Sequence, residues 1–497
     1  MANEVIIIGG GLGGLSAAIH LAAKKVQVRL FEQEPQLGGK LSFYREKGYY
    51  WDVGPSVVTL PDFIRLPFAA AGKEMEKYLQ LVPVDPLTDY YFPDGKRLRV
   101  WRSSERTEEE LKGWGAQAPH RWRRFLQYAR RLYETAAPLF LEVPLHEYKY
   151  LFRQRELWRW RNLLLPVDPF RSMHAAAQAF LKHPDLVRIA DRYATYNGSD
   201  PFRAPATFNL IFWVENGLGT YHIKGGLYKL VQALGDLACE LGVQMHLGEP
   251  VLQVLHRSGK VEGVETAQGF YPASAVISAV DVRTTYEKLL QVPFPLLYTY
   301  NEPSLSGLVF LWGVKRRSPF GHHTIIFSGD YLREFKRIFR EKGVPEEPTI
   351  YICNTSATEP GHAPAGKENW FVLLNVPAVG SAWKESDTAR LREATVKRIK
   401  KVFPEFDETL IEVEAIRTPA DWERLGSAFG SLYGAASNRL FSAFLRPPNR
   451  SRRFRGLYFA GGSVHPGGGM PLVILSGRHA ARLVLDYLAS RSKAFFV

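Results

Sequence analysis

Apolar runs at both ends of the chain alternate with glycine-rich loops and helical patterns. Residues 4–8 read as a short buried strand, a helix is predicted from about Gly13 to Lys24, and a second strand covers 26–31. The stretch 456–488 has an apolar strand, a glycine-rich loop and a helix. A strand, loop, helix and strand in this order open a doubly wound sheet, so we predict an α/β fold.

The middle of the chain carries other patterns. Residues 90–101 predict a hairpin that turns at Pro93-Asp94-Gly95, and Arg-rich helical sequence follows over about 105–195. From Val251 a small β meander is predicted, and a helix is expected around 388–402. Because sheet-type sequence occurs at both ends and in the middle, we expect a discontinuous cofactor domain with inserted substrate-domain segments. The predicted boundaries are 1–75, 205–295 and 440–497 for the cofactor domain, and 76–204 and 296–439 for the substrate domain.

Composition indicates a globular protein of two domains in a reducing compartment. A chain of 497 residues is too long for one ordinary core, and 46% apolar with 23% charged residues fit a folded chain. Cys239 and Cys353 form no CxxC pair and the histidines lack metal-ligand spacing, so we predict neither a disulfide nor a metal site. Glu4, and the lack of Lys or Arg before Lys24, argue against a signal peptide. The two unpaired cysteines favour a reducing cytoplasmic setting, and because no apolar run of about 18 residues occurs, no transmembrane helix is expected.

Much of the net charge of +14 lies between His120 and Arg161, where two basic, aromatic stretches cover 121–133 and 150–165. A helical pattern here leaves two alternatives open. The helix either lies on an anionic membrane surface or packs its apolar face on the domain with its arginines in solvent. No nucleic-acid module is recognised, so no nucleic-acid partner is predicted. In the first stretch, the apolar positions at helical spacing are Trp122, Phe125, Leu126, Ala129, Leu132 and Tyr133, and the arginines beside them are Arg123, Arg124, Arg130 and Arg131.

The loop after the first strand fits GxGxxG. Gly9 permits the tight turn, Gly11 lets backbone approach a pyrophosphate, and Gly14 lets helix and strand pack closely. Glu32 ends the second strand, where a carboxylate can accept hydrogen bonds from ribose hydroxyls. With strand, helix and acidic residue all in place, the pattern predicts dinucleotide binding.

Two later segments extend this pattern toward a flavin. Gly39 and Lys40, then Gly54 and Pro55, match the opening of flavoproteins related to glutathione reductase and the amine oxidases. Two ordinary surface turns are the alternative interpretation. Near the C-terminus, a glycine-rich loop leads into the last helix, whose positive end would stabilise a reduced flavin. The candidate residues of this loop are Gly461, Gly462, Gly469, Met470 and Pro471, together with His465, which either bonds to the cofactor or shapes the turn.

Along essentially its whole length the chain resembles the bacterial phytoene desaturase family of FAD enzymes. Within that family, 322–339 and 461–478 look most like the hydroxycarotenoid 3,4-desaturases. The resemblance implies a Rossmann-like FAD-binding domain of the glutathione-reductase and amine-oxidase type with an inserted substrate domain. Besides the two ends, it is carried by RYATYNGSDPFRAPATFNLI (192–211), YHIKGGLYKLVQAL (221–234), YICNTSATEPGHAPAGKENWFVLLNVPA (351–378) and GSLYG (430–434).

The same resemblance implies roles for the candidate residues. Gly9, Gly11, Gly14 and Glu32 should hold the ADP part of FAD, and the backbone near Val251 should meet the adenine. Lys40 departs from the family, which usually has Arg there, so its contact loses the bidentate fork. No catalytic residue can be carried over. The residues expected along the pyrophosphate and the ring are Gly39, Lys40, Gly54 and Pro55, with 461–471 at the flavin.

A desaturase passes a hydride to flavin and loses a proton from the neighbouring carbon. The resemblance therefore implies a carotenoid substrate collected at a membrane surface, and quinone or oxygen as the electron acceptor. A buried substrate hydroxyl would need a polar partner, for which His322, His323 and Asn375 are candidates. A phytoene desaturase, an FAD amine oxidase and a non-enzymatic relative that binds prenylated proteins remain alternatives, although the positive net charge disfavours a cationic amine substrate.

Overall fold

The computed structural model of the chain describes residues 4–147, 167–295, 302–440 and 446–494. Helices and sheets are mixed along these residues, which confirms the predicted α/β class. The strands are β1 Glu4–Ile8, β2 Gln27–Glu32, β3 Ser42–Glu46, β4 Tyr49–Val53, β5 Leu81–Pro83, β6 Thr88–Tyr91, β7 Arg97–Val100, β8 Tyr221–Ile223, β9 Gln244–Leu247, β10 Val251–Arg257, β11 Lys260–Thr266, β12 Gly269–Pro272, β13 Ala275–Ser278, β14 Ser306–Val314, β15 His323–Ile326, β16 Ile350–Asn354, β17 Glu368–Val376, β18 Ile411–Arg417 and β19 Leu457–Phe459.

Helices of different lengths connect these strands. The α-helices of six residues or more are α1 Leu12–Ala22, α2 Pro61–Ala70, α3 Ser104–Leu111, α4 Ala118–Glu142, α5 Met173–Leu181, α6 Pro184–Asp191, α7 Leu210–Asn216, α8 Tyr228–Glu240, α9 Tyr331–Phe339, α10 Glu385–Val402, α11 Pro419–Arg424 and α12 Met470–Ala494, and a 3-10 helix of six residues covers Arg192–Asn197. The helices predicted after the first loop, around 388–402 and at the C-terminal end are thus present, with bounds shifted by a few residues.

A five-stranded parallel sheet has the strand order β19-β13-β1-β2-β9. The continuous apolar run of β1 is explained by burial on both faces. Val5 and Ile7 pack in the core that α1, α8 and α12 share. Ile6 and Ile8 pack on the opposite side, in the core that contains Val254 of the antiparallel sheet β10-β11-β12. The strands come from three separate stretches of the chain, while the domain boundaries given above remain a prediction.

The second large sheet has seven strands, in the order β18-β14-β17-β16-β15-β6-β7. The hairpin predicted for 90–101 is confirmed, because β6 and β7 pair antiparallel across the turn. β6 also pairs parallel with β15, which joins this hairpin to strands far along the chain. The central strands β14 and β17 are almost wholly buried, so this sheet offers apolar walls on both faces.

Helix α4 contains the first basic stretch. Trp122, Phe125 and Leu132 are 3%, 0% and 0% exposed, because the apolar face of the helix packs on the domain. Arg123 pairs with Glu108 on the surface. The second of the two alternatives is therefore the observed one, and only the charged face remains for contact with a membrane. The second basic stretch, 150–165, lies outside the described residues. None of the helices described is both long and apolar enough to cross a bilayer.

Candidate active site

The loop between β1 and α1 is shaped by glycines. Gly9 has a φ of +100°, and its N–H donates to the carbonyl oxygen of Phe31 at 2.7 Å, which ties the loop to the end of β2. Gly11 precedes the helix with extended backbone, and a Cβ there would meet only the Gly38 carbonyl oxygen at 3.9 Å. The first N–H groups of α1 have no partner within the helix. The loop therefore presents free donors and open space to an anion.

Glu32 stands at the end of β2, beside this loop. Its Oε2 accepts from the N–H of Gly10 at 2.6 Å, and its Oε1 accepts from the N–H of Glu34 at 3.0 Å. Burial raises the pKa of Glu32, and the two backbone donors act against that rise. The carboxyl group is thus held in position at the cavity edge, where ribose hydroxyls can reach it.

A second glycine-containing loop crosses the first. The N–H of Gly38 donates to the carbonyl oxygen of Gly10 at 3.0 Å, so the two loops are hydrogen-bonded. Gly54 has a φ of +108°, and a Cβ on it would lie 1.9 Å from the carbonyl oxygen of Lys40. This contact leaves no room for any side chain at Gly54. Gly39 and Pro55 line the same cavity as these loops.

Lys40 places a cation against the cavity wall. Its Nζ donates to the carbonyl oxygens of Leu432 at 3.0 Å and Ser431 at 3.3 Å. Burial lowers the pKa of Lys40 to about 8, against the attraction of Asp281. The carboxylate of Asp281 also lines the cavity. The charged form of Lys40 is thus stabilised by one acidic neighbour and two backbone oxygens.

The C-terminal loop closes the opposite side. Gly461 has a φ of +110° and donates its N–H to Ser476 Oγ at 3.1 Å. Gly469 has a φ of +102°, and a Cβ there would meet no atom within 4 Å. Helix α12 then begins at Met470, with Pro471 at a tolerated early position. The positive N-terminal ends of α1 and α12 therefore meet at one cavity. The lining residues of this loop include Gly461, Gly462, Gly469, Met470 and Pro471.

One cavity of about 820 Å³ joins these loops to the seven-stranded sheet. Val251, at the start of β10, lines the cavity together with Pro250. Tyr351 and Asn375 are polar members of the wall on the sheet side. The cavity thus combines a polar cradle of backbone groups with a largely apolar compartment. The apolar lining on the sheet side includes Leu305, Val309, Ile325, Leu373 and Leu432.

A buried ion pair stands at the edge of this compartment. Arg192 bonds to Glu215 Oε1, and its Nε donates to the hydroxyl of Tyr90 at 2.8 Å. Tyr193 donates to the same carboxylate at 2.8 Å, and Tyr196 bonds to its other oxygen. Two buried charges are tolerated when their hydrogen bonds are satisfied in this way. Arg192 and Tyr196 also line the cavity, so they give it a fixed polar end.

Comparison with known proteins identifies the architecture. The profile described as flavin-containing amine oxidoreductase matches residues 12–485. The chain belongs to this family. It is 36% identical to a 1-hydroxycarotenoid 3,4-desaturase of Flavobacterium sp. over 97% of this chain and 99% of the relative. It is also 36% identical to a 4,4'-diapolycopene oxygenase of Methylomonas sp., over 96% and 97% of the two chains. These relatives confirm the resemblance to carotenoid desaturases.

A solved oxidoreductase from Methanosarcina mazei has the same fold. Its TM-score is 0.64 at 17% identity, and the alignment covers 97% of this chain and 100% of the other. The family member described here is an FAD-dependent oxidoreductase. Its site fits FAD, because Gly11 leaves open space for a pyrophosphate and the carboxyl group of Glu32 is fixed beside the same loop. Two helix N-termini supply further donors at the same cavity.

Two predicted cofactor residues are placed away from the cavity lining. Gly14 faces the backbone of the first loop, where a Cβ would lie 2.0 Å from the carbonyl oxygen of Gly9. It serves the close packing of helix and strand. His465 is fully buried, with Nε2 3.0 Å from the carbonyl oxygen of Val143 and its ring against Phe140. Of its two predicted roles, shaping the turn agrees with this position.

Other polar residues lie where sequence reasoning did not place them. His322 and His323, the candidate partners of a substrate hydroxyl, are 5% and 4% exposed and stand behind the cavity wall. His323 reaches the cavity only through Tyr351, whose hydroxyl lies 2.9 Å from His323 Nδ1. Asn375 does line the cavity. Neither the Arg192 ion pair nor this histidine group has a local sequence pattern, because each joins segments that are distant in the chain.

Proposed function

We propose that this protein is an FAD-dependent carotenoid desaturase that introduces a 3,4 double bond into a 1-hydroxycarotenoid. The observation that carries the proposal is the single cavity in which the cofactor loops meet an apolar wall. Nearly full-length identity of 36% to the Flavobacterium 1-hydroxycarotenoid 3,4-desaturase supports the reaction. An extended hydrocarbon substrate requires such an apolar compartment beside the flavin.

The proposal includes the position of FAD. The pyrophosphate would lie at Gly9 and Gly11, the ribose at Glu32 and the adenine near Val251. The isoalloxazine ring would then extend toward α12 and the seven-stranded sheet. The residues proposed along the pyrophosphate and the ring are Gly39, Lys40, Gly54, Pro55, Gly461, Gly462, Gly469, Met470 and Pro471.

Bound FAD supplies the hydride acceptor of the reaction. The chain holds the polyene against the sheet, where Val309, Leu373 and Leu432 exclude water. Loss of hydride beside a polyene leaves a delocalised allylic cation, and the proton on the neighbouring carbon becomes acidic. Positioning therefore supplies much of the catalysis, and we assign no acid or base residue.

Asn375 is the residue we propose for the substrate hydroxyl. It lies in β17, opposite Gly307 of β14, and its side chain borders the cavity. An unpaired hydroxyl in an apolar compartment costs about 1–3 kcal/mol. An amide can both donate to and accept from a hydroxyl, so Asn375 would recover this cost for a hydroxylated substrate and not for phytoene.

The Methylomonas relative favours a second candidate function. That protein is a 4,4'-diapolycopene oxygenase, and its identity to this chain is also 36%. An oxygenase would insert oxygen at the end of the same polyene in the same cavity. We therefore propose carotenoid oxygenation as the alternative to desaturation. The product of desaturation has lost two hydrogens, whereas the product of oxygenation has gained oxygen.

The substrate and the electrons need partners outside the chain. We propose that the protein works in the cytoplasm and collects its substrate from a membrane surface, because carotenoids are insoluble in water. The charged face of α4 is the proposed contact, since its arginines can reach anionic lipid head groups. Quinone or oxygen is proposed as the acceptor that reoxidises the flavin.

The deciding experiment offers the purified protein a 1-hydroxycarotenoid, phytoene, diapolycopene and a primary amine in separate reactions, with product masses recorded. Desaturation of the 1-hydroxycarotenoid, seen as loss of two hydrogens, is expected. Asn375→Leu should raise KM for that substrate more than it lowers kcat. Conversion of phytoene alone, oxygen insertion, or turnover of the amine alone would each replace the proposed reaction.

A further inference from the structure

Four buried histidines and a buried cysteine gather behind the wall of the cavity. His322 and His323 have ring centroids 4.5 Å apart, and the ring of His222 lies 5.4 Å from that of His322. His362 adjoins His222 at 5.6 Å. Cys353 in β16 is directly opposite His323 in β15, so their positions are adjacent across the sheet. Imidazole and thiol groups from four separate segments thus share one buried site.

The imidazoles are held in the manner of metal ligands. Nδ1 of His322 contacts Thr358 Oγ1 at 2.6 Å, and Nδ1 of His323 contacts the hydroxyl of Tyr351 at 2.9 Å. Metal-binding histidines commonly use one ring nitrogen for such a bond, which fixes the ring and leaves the other nitrogen for the metal.

A second observation concerns one further ring nitrogen each in His323 and His222. Nε2 of His323 is buried and has no hydrogen-bond partner in the part of the chain that the structure describes. The same holds for Nδ1 of His222, whose Nε2 lies 2.7 Å from Glu359 Oε2. Leaving a buried polar atom without a partner is unfavourable in folding. These two nitrogens therefore point to a ligand that completes the site.

We propose that His322, His323 and Cys353 bind a late first-row transition metal ion, with Zn²⁺ as the first choice. One potential ligand atom of each residue lies within 4.8 Å of those of the other two. Tetrahedral zinc with bonds of 2.0–2.3 Å needs separations of about 3.3–3.6 Å between ligand atoms. A closure of about 1 Å in side-chain positions would therefore form the site.

The ligand types select this class of metal. Two imidazoles and a thiol favour zinc, copper or cobalt over magnesium and calcium, which prefer oxygen. Burial raises the pKa of the Cys353 thiol to about 12, so binding of the metal must release the thiol proton. His222 is the nearest further imidazole for the fourth position. The inference does not depend on the proposed function, although the metal would fix Tyr351 in the cavity wall.

The test measures metal in the FAD-loaded, full-length protein. After equilibration with Zn²⁺ and removal of unbound ion, elemental analysis should give about one zinc per chain. Cys353→Ser should lose this zinc. Cys239→Ser removes the exposed cysteine and should keep it, which makes it the matched control. FAD content and circular dichroism report whether each variant is folded.

A second measurement needs no variant. Co²⁺ bound in place of zinc should show the red absorption of a tetrahedral ion outside the flavin bands, and its near-ultraviolet thiolate charge-transfer band should appear in the difference spectrum against the cobalt-free, FAD-loaded protein. Wild-type protein without stoichiometric zinc would overturn the proposal. So would zinc that persists in Cys353→Ser, zinc that is lost in Cys239→Ser, or a cobalt spectrum without thiolate ligation.

Discussion

Substitution of Gly11 by valine separates cofactor binding from folding. The backbone at Gly11 has φ −72° and ψ 175°, which any residue can adopt, and a Cβ there would meet only one atom at 3.9 Å. The side chain would project into the cavity where the pyrophosphate is proposed to lie. Gly14→Ala is the opposite case, because its Cβ would lie 2.0 Å from the carbonyl oxygen of Gly9. The first variant should therefore lose FAD and keep its fold, while the second should lose stability.

The expected loss can be worked from the donors at the start of α1. A displaced pyrophosphate gives up about two backbone N–H bonds to a charged oxygen, each worth about 1.5–3 kcal/mol. The total of about 3–6 kcal/mol corresponds to a rise in Kd of about 10²–10⁴-fold. The free energy of unfolding of the Gly11→Val apoprotein should lie within about 1 kcal/mol of the wild-type value, because the added Cβ meets no atom closer than 3.9 Å and the N-cap makes no side-chain hydrogen bond that could be lost.

The assay is titration of apoprotein with FAD by calorimetry, followed by thermal unfolding of the apo forms. Gly11→Ala should lie between wild type and Gly11→Val in affinity, since its side chain enters the cavity less far. If Gly11→Val binds FAD with the wild-type Kd, the pyrophosphate does not lie at this loop. If its apo form is as unstable as Gly14→Ala, the space around Gly11 is not open, and the reasoning from its surroundings fails.

Three further substitutions test other parts of the structure. Glu32→Ala should weaken FAD binding by about 1–3 kcal/mol in the same titration, and unchanged affinity would place the ribose elsewhere. The pKa of Lys40 is lowered to about 8, so the unfolded state binds more protons than the folded state between about pH 8 and 10.5. In urea unfolding, the free energy of unfolding of the wild type should therefore rise with pH in this window more steeply than that of Lys40→Met. Equal slopes of the two free energies against pH would contradict the burial of the Lys40 charge. The third variant neutralises the basic face of α4 by combining Arg123→Gln, Arg124→Gln, Arg130→Gln and Arg131→Gln. It should co-sediment less with anionic liposomes at low salt, and undiminished binding would move the membrane contact to another surface.

The cofactor cradle could be predicted because its signals are local. Gly9 and Gly11 lie between a strand and a helix that their own neighbours specify, and Glu32 ends the next strand. The hairpin at Pro93-Asp94-Gly95 was equally local, since turn residues separate two apolar runs. In these segments a few consecutive residues determine both the backbone shape and the position of the polar groups.

The rest depended on contacts between distant segments. The histidine cluster forms because β15 pairs with β16 while β8 approaches from another part of the chain. Periodicity predicts a strand and does not say which strand lies beside it. Helix α4 shows the same limit, because Trp122 and Phe125 would have the same spacing on a membrane or in a core. Only the position of the neighbouring helix α7 decides between the two.

The interleaved order of the parallel sheet has a consequence for synthesis of the protein. β1 pairs with β13, which pairs with β19, and α12 packs on α1. Once β1 has been synthesised, more than 450 further residues must therefore follow before its sheet is complete. Contacts of such long sequence separation slow folding and leave apolar strands exposed meanwhile. With FAD placed as proposed between α1 and α12, its capture requires that α12 has been made, so the flavin colour of a cell extract reports chains that have been translated through α12.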